Sequence, residues 1–142
     1  MLVQGNDIFN LIPQRPPMVM VDKLFECNDQ KALTGLEILP DNIFVRKGEF
    51  SESGLIENIA QSAALMTGWL AINRQEGEQK IPLGVIGAVK DFQVYFLPGV
   101  DSQMITQIEV LFRVANATIV NGKVKVNDQL AAECELKIFT AE

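Results

Sequence analysis

The chain has 142 residues, with 12 Lys plus Arg, 18 Asp plus Glu, no His and a formal net charge of −6 at pH 7. This length predicts a single domain, 1–142, and 48% hydrophobic residues are enough to build a sizeable core. The acidic balance argues against a nucleic-acid partner, which would need a basic surface. The lack of His excludes Ser-His-Asp and Cys-His catalysis and His-ligated zinc. Because the chain also has no phosphate-loop, dinucleotide or metal-ligand motif, we expect no metal and no cofactor.

Cys27 and Cys134 lie far apart in the sequence and are predicted to be small buried apolar residues rather than a disulfide. The first residues lack the basic region and the apolar stretch of a signal peptide. No apolar run is long enough to span a bilayer. We therefore expect a cytoplasmic protein with no membrane association.

The chain up to residue 50 is predicted to contain a short helix and a β-hairpin. Pro13 and then Pro16–Pro17 stop the helix, because proline cannot continue one. A run of four apolar residues, from Met18 to Val21, begins the first strand. The predicted spans are 6–12 for the helix, 18–27 and 32–39 for the strands, 28–30 for the turn between them, and 43–50 for a weakly extended segment.

One long helix is predicted over Ser53–Asn73, with Ser51 or Ser53 as its N-cap. Apolar residues recur on most of its surface, which is typical of an enclosed helix. One stripe of the helix has polar side chains near its N-terminal end and small side chains further along. At positions i, i+4, i+7 and i+11 this stripe carries Glu57, Gln61, Ala64 and Gly68.

Beyond a polar turn at 74–80, the pattern is that of β-strands. A long strand over 81–97 is predicted to carry a bulge near Gly84 or Gly87. Further strands are predicted at 104–114, 115–121 and 123–140, with hairpin turns at Asn121–Gly122 and Asn127–Asp128. One enclosed helix among antiparallel strands predicts an α+β hotdog fold, in which the sheet wraps around the helix.

Four segments in the right order resemble the β-hydroxyacyl-(acyl carrier protein) dehydratases of the FabZ and FabA type. Residues 11–23 resemble the opening motif of that family, and residues 48–50 read Gly-Glu-Phe where the family has Gly-His-Phe. Residues 55–61 resemble the start of its helix, and residues 97–104 its Pro-Gly-Asp-Gln turn. The resemblance covers residues 8–139. It implies the hotdog fold and a dimer with two active-site tunnels.

The departures from the family pattern bear on activity. The catalytic His of the family falls on Glu49, and the interval from Glu49 to Glu57 is shorter than in the working enzymes. Gly54 stands three residues before Glu57, so it does not match the family glycine whose N–H polarises the thioester. The pattern resembles the divergent dehydratase-like proteins associated with aryl-polyene gene sets, some of which lack a complete dyad.

Dehydration of a 3-hydroxyacyl thioester requires a base for the C2 proton and an acid for the departing hydroxyl. The resemblance implies that Glu57 is the acid, although a carboxylate near a helix N-terminus is also favoured by the helix dipole alone. Glu49 is a candidate base, the alternative being an exposed loop residue. Gln61 either binds substrate, orients Glu57 or is simply a satisfied buried amide. The other substrate-binding candidates are Gly54, Ala64 and Gly68.

Arg46 and Lys47 form a basic pair beside the expected tunnel mouth. They are candidates for docking an acidic acyl carrier protein, the alternative being an ordinary solvated surface. The expected substrate carrier is acyl carrier protein or coenzyme A. The expected assembly is a homodimer through residues 85–96 or a heterodimer with an active paralogue. Three functions stay open: a lyase with an unusual base, a thioesterase that uses Glu57, and a non-catalytic acyl-binding or partner subunit.

Overall fold

The computed structural model describes residues 1–73 and 84–140, which form one long helix, nine strands and a short 3₁₀ helix. In chain order these are β1 (Val3–Gln4), the 3₁₀ helix (Gly5–Asn10), β2 (Lys23–Cys27), β3 (Lys31–Glu37), β4 (Val45–Arg46), β5 (Glu49–Phe50), α1 (Glu52–Asn73), β6 (Gly84–Val94), β7 (Gln103–Val114), β8 (Ala117–Val126) and β9 (Gln129–Thr140). Seven strands make one antiparallel sheet in the order β1-β2-β3-β7-β8-β9-β6, and β4 pairs with β5 in a separate hairpin.

The helix α1 is enclosed by the sheet, as the apolar pattern predicted. Leu55, Ile59 and Leu65 have no exposed surface, and they join side chains from β3, β7, β8 and β9 in one core. Ser51 is the N-cap, because its hydroxyl oxygen accepts the backbone N–H of Gly54 at 3.4 Å. The predicted α+β hotdog architecture is confirmed.

The predicted hairpin turn at Asn121–Gly122 is wrong, because both residues lie inside β8. Gly122 pairs with Ile108 of β7, and a Cβ at Gly122 would overlap the side chain of Ile59 on the helix. The glycine is therefore needed where the helix packs on the sheet, and packing overrides the local turn preference. The chain turns instead at 115–116, and at Asn127–Asp128 as predicted, where both residues have positive φ.

The first strand of the predicted hairpin also begins later than expected, at Lys23 rather than Met18. The backbone from Met18 to Met20 makes hydrogen bonds to α1 side chains instead of to another strand. Gln61 bonds to both Met18 and Met20, and Asn58 donates to the Met20 carbonyl oxygen at 2.8 Å. Helix side chains have thus replaced the strand partner.

The strand β6 is an edge strand of the described sheet, with β9 as its only partner there. Its pairing with β9 shifts between Ile86 and Ala88, which confirms the bulge predicted near Gly87. The predicted turn at 74–80 and the first three residues of the predicted strand, 81–83, lie outside the described residues. Across the described ranges no helix has both the length and the hydropathy needed to cross a membrane.

Both cysteines are free thiols, as the sequence predicted. Cys134 is buried in the core as predicted, whereas the prediction that Cys27 is buried is wrong, because at the end of β2 it is only half-buried. Burial raises the pKa of each thiol to about 11. Both are therefore protonated and unreactive near neutral pH.

Candidate functional site

Glu57 and Gln61 form a hydrogen-bonded pair one turn apart on α1. Glu57 is half-buried, whereas Gln61 is fully buried. The Gln61 Nε2 donates to Glu57 Oε2 at 2.6 Å. This hydrogen bond holds the carboxyl group of Glu57 in one orientation.

The orientation of the Gln61 amide is determined by the backbone around it. Its Oε1 accepts the Met20 N–H at 2.6 Å, so that its Nε2 must face the Met18 carbonyl oxygen, at 2.8 Å, and Glu57. Both amide hydrogens are therefore used, and Glu57 Oε2 can only accept. A proton that Glu57 gives to a substrate must be carried on Oε1, the oxygen that Gln61 leaves free. This geometry favours the orienting role for Gln61 over direct contact with substrate.

Next to this pair lies a layer of buried polar side chains that was not predicted from the sequence. Asn58 Oδ1 accepts from Thr106 Oγ1 at 2.6 Å, and the Ser62 and Thr34 hydroxyls are 2.7 Å apart. All four side chains have no exposed surface. The available signal was their position, since Asn58 and Ser62 lie one turn apart on a helix that is apolar over most of its surface.

Glu49 is exposed on β5, and the following Phe50 is fully buried. Its cross-strand neighbour in the β4–β5 hairpin is Arg46, and on its other side it forms a bridge with Gly99. No hydrogen bond joins Glu49 to Glu57 within this chain, although both residues are described. The structure therefore shows no direct pairing of the two carboxylates in one subunit.

The space beside each of the two glycines among the substrate-binding candidates is filled by other residues of this chain. A Cβ at Gly54 would overlap Phe44 and Phe50, and one at Gly68 would overlap the backbone carbonyl of Leu11. Gly68 therefore provides room for the N-terminal segment rather than for an acyl chain. The N–H of Gly54 is directed at its N-cap, Ser51.

Ala64 does line a cavity, which we call the Ala64 cavity, of about 80 Å³. Helix residues with small side chains form one wall, the segment after the 3₁₀ helix a second, and the start of β6 a third. Its lining includes Pro13, Gln14, Ala60, Ala63, Ala64 and Ile86. The Oε1 of Gln14 is buried and has no hydrogen-bond partner in the part of the chain that the structure describes. A buried acceptor without a donor is costly unless a ligand supplies one.

Arg46 and Lys47 are exposed on the β4–β5 hairpin. Lys47 and Gly48 form its two-residue turn, with φ of 52° and 79°, which is the backbone of a type I′ turn. The turn projects both cations into solvent. Within residues 1–73 and 84–140, no cluster of three or more Cys, Asp or Glu side chains could hold a metal ion.

The chain matches the family described as "ApeP-like: ApeP dehydratase" over residues 6–142. It is 31% identical over 135 residues to a 3-hydroxyacyl-[acyl-carrier-protein] dehydratase FabZ of Staphylococcus epidermidis, covering 92% of this chain and 90% of that one. With the FabZ of Geotalea uraniireducens the identity is 28% over 141 residues, 96% of each chain.

Among solved structures, the fold is similar to that of the dehydratase heterocomplex ApeI:P from Xenorhabdus doucetiae. The TM-score is 0.84 at 16% identity, with 95% of this chain and 91% of that chain covered. At 16% identity this similarity shows only the fold, whereas the family match over residues 6–142 shows which family the chain belongs to. The chain belongs to the ApeP-like dehydratase family and is a 3-hydroxyacyl-(acyl carrier protein) dehydratase-like protein.

Proposed function

We propose that this chain is the carboxylate-bearing subunit of a cytoplasmic 3-hydroxyacyl-thioester dehydratase, and that a second, histidine-bearing chain supplies the base. The observation that carries this proposal is the Glu57–Gln61 pair in a chain without any His. The chain holds an oriented acid, but it has no imidazole to take the C2 proton, and no hydrogen bond joins Glu49 to Glu57. An acid without a base is half of the required machinery.

The proposed reaction begins when the imidazole of the partner removes a proton from C2 of the acyl chain. The electron pair of that C–H bond forms the C2–C3 double bond as the C3–O bond breaks. Glu57 delivers the proton on Oε1 to the departing hydroxyl, which leaves as water. The proton then on the imidazole returns to Glu57 through solvent, which restores both groups. Gln61 acts as a positioning residue, because it binds the oxygen that does not carry the proton.

The edge of β6 is the surface that we propose joins the two chains. Val85, Ile86 and Val89 are 57%, 39% and 43% exposed, and beyond β9 the strand has no partner in the described sheet. An unpaired apolar edge favours pairing with another strand. The similar ApeI:P structure is described as a heterocomplex, and this supports a heterodimer over a homodimer.

We propose that the substrate reaches the site on an acyl carrier protein, as the names of the FabZ relatives state for those enzymes. Acyl carrier proteins are acidic, and this chain carries −6, so that docking needs a local basic surface. Arg46 and Lys47, projected by the β4–β5 turn, form that surface. The Ala64 cavity, on the same stripe of the helix as Glu57, is the part of the protein that we propose receives the acyl chain.

The test compares this chain alone with the complex that it forms with a co-expressed, histidine-bearing paralogue. Each preparation is incubated with a 3-hydroxyacyl-(acyl carrier protein), and the 2-enoyl product is measured by mass spectrometry. We expect water loss from the complex and none from this chain alone. Equal activity of this chain alone would overturn the need for a partner base. Release of the free carrier thiol would identify a thioesterase. Undiminished water loss from a complex that carries Glu57→Gln would identify a non-catalytic subunit, and no reaction in either preparation would overturn the proposed activity.

A further inference from the structure

A second cavity, of about 240 Å³, lies beside the Ala64 cavity and extends further toward the C-terminal end of α1. It lies between the C-terminal half of α1 and the concave side of β7, β8 and β9. Ala63, Thr67 and Ile138 line both cavities and therefore lie between them. We call this second cavity the Arg113 cavity, after the charged residue in its lining.

The lining of the Arg113 cavity is divided into an apolar floor and a polar mouth. The floor comes from the helix and from the buried parts of the strands: Met66, Leu70, Ile108 and Val110. The mouth lies at the tip of the β7–β8 hairpin and the end of β9: Arg113, Asn116, Thr118 and Thr140. A ligand with an apolar body and a polar head fits this division.

Arg113 is held at the mouth by one bond, from its Nη2 to the backbone carbonyl oxygen of Asp29 at 2.8 Å. A guanidinium has five N–H donors, so that others are left for a ligand. Over residues 1–73 and 84–140, no carboxylate forms an ion pair with Arg113. It is also the only charged residue among the described residues of the lining. The mouth therefore favours an anionic head group, and a guanidinium matches a carboxylate with two parallel hydrogen bonds.

We propose that the Arg113 cavity binds a medium-chain fatty acid. The carboxylate lies on Arg113, with Asn116 and Thr118 beside it, and the chain packs against Met66 and Ile108. The volume is below the roughly 300–1,000 Å³ of sites for drug-sized ligands, which suits a single unbranched chain. This site does not use Glu57 or the Ala64 cavity, and so it stands whether or not the proposed dehydratase activity does.

The experiment measures the binding of decanoate and of decanol to the full-length chain by calorimetry, below the critical micelle concentration of decanoate and the solubility limit of decanol. We expect decanoate to bind more tightly than decanol. From hexanoate to decanoate, affinity should rise roughly fourfold per methylene as more of the chain is buried. In Arg113→Gln, decanoate should bind about tenfold more weakly, because a charged hydrogen-bonding partner is lost, while decanol is little affected. Equal binding of acid and alcohol, or no effect of Arg113→Gln, would overturn the proposal.

Two matched variants locate the ligand. Ala71 lines only the Arg113 cavity and Ala60 only the Ala64 cavity, so that Ala71→Phe should abolish decanoate binding and Ala60→Phe should leave it intact. The reverse result would place the fatty acid in the Ala64 cavity and refute this assignment. If Ala71→Phe does not fold, methyl NMR of the unsubstituted protein decides. Decanoate should shift Ile108 and Val110, whereas shifts of Leu11 alone would contradict the site.

Discussion

Gln61 donates one amide hydrogen to Glu57 Oε2 and accepts the backbone N–H of Met20 with the oxygen of the same amide. The first bond holds the carboxylate on α1, and the second holds the segment that precedes β2. One amide therefore links the position of that segment to the orientation of Glu57. The Gln61 side chain both stabilises the backbone at Met20 and orients the carboxyl group of Glu57.

Replacing Gln61 by Leu should destabilise the fold by about 3 kcal/mol, because it leaves a buried N–H and a carbonyl of Met18–Met20 without partners. Urea unfolding monitored by circular dichroism measures the change. The control is Gln103→Leu on β7, where the side chain is exposed and bonds only to other exposed groups. The free energy of unfolding of that variant should differ by no more than about 0.5 kcal/mol from that of the original protein. Equal effects of the two substitutions would show that the Gln61 bonds add nothing.

Glu57→Gln should lower the dehydratase activity of the proposed complex by about 100- to 10,000-fold, because an amide cannot deliver a proton to the leaving hydroxyl. The melting temperature should hardly change, since the substitution is nearly isosteric and Gln61 can still donate to the new amide oxygen. Glu52→Gln, an exposed carboxylate on the first turn of the same helix, is the matched control and should keep full activity. Glu49→Gln should do much less than Glu57→Gln. A comparable loss there would mean that Glu49 takes part in the reaction.

Gly122→Ala should destabilise the protein by about 1–3 kcal/mol, because the added methyl group overlaps Ile59 on the helix. The same substitution made in an Ile59→Ala protein should cost much less, since the overlapping atoms are gone. A double-mutant cycle from four unfolding curves gives the coupling between the two positions. Purely additive effects would contradict the close contact between helix and strand.

Val89→Lys on β6 should abolish assembly with a partner chain, because it places a charge on the edge that we propose pairs. The control is Leu111→Lys near the tip of the β7–β8 hairpin. The two residues are equally exposed, at 43% and 44%, so that both substitutions remove a similar apolar surface. Size-exclusion chromatography with light scattering should report loss of the complex for Val89→Lys alone. An intact complex in both variants would move the interface away from β6.

Alkaline pH should destabilise the fold through Cys134, because burial raises the pKa of its thiol to about 11. Below the pKa of an unfolded cysteine, near 8.5, the thiol is protonated in both states and costs nothing. Above that pH the unfolded chain ionises first, so that stability falls until the folded pKa is reached. Between about pH 8 and pH 10, the loss in free energy of unfolding should be about 2 kcal/mol larger in the original protein than in Cys134→Ala. Parallel curves would show that Cys134 does not titrate differently on folding.

The enclosed helix and the wrapped sheet could be predicted from sequence because both follow from local periodicity. The N-cap Ser51 and the Asn127–Asp128 turn are local signals of the same kind. The turn expected at Asn121–Gly122 failed because the requirement for glycine there comes from Ile59, which is far away in the sequence. The local sequence favours a turn at Asn121–Gly122, whereas the contact with Ile59 favours a continuous strand, and the strand forms.

The candidate site could be predicted only in part. Glu57 and Gln61 are four residues apart on a helix, so that their contact follows from helical geometry. The bonds from Gln61 to Met18 and Met20 join segments that no pattern links. Gly68 resembled an opening for an acyl chain, but Leu11 fills the space beside it. Whether a small residue marks a cavity or a close approach depends on the partner segment.

The buried polar layer restricts how β3, β7 and α1 can align with one another. Thr34 and Thr106 lie directly opposite each other on β3 and β7, and each bonds to a helix residue, Ser62 and Asn58. A slip of one residue between the strands would turn one hydroxyl away from the helix and leave its partner buried without a bond. Each such loss costs about 1–3 kcal/mol. Apolar residues would tolerate several alignments of helix and strands, whereas these four side chains penalise every alignment but one.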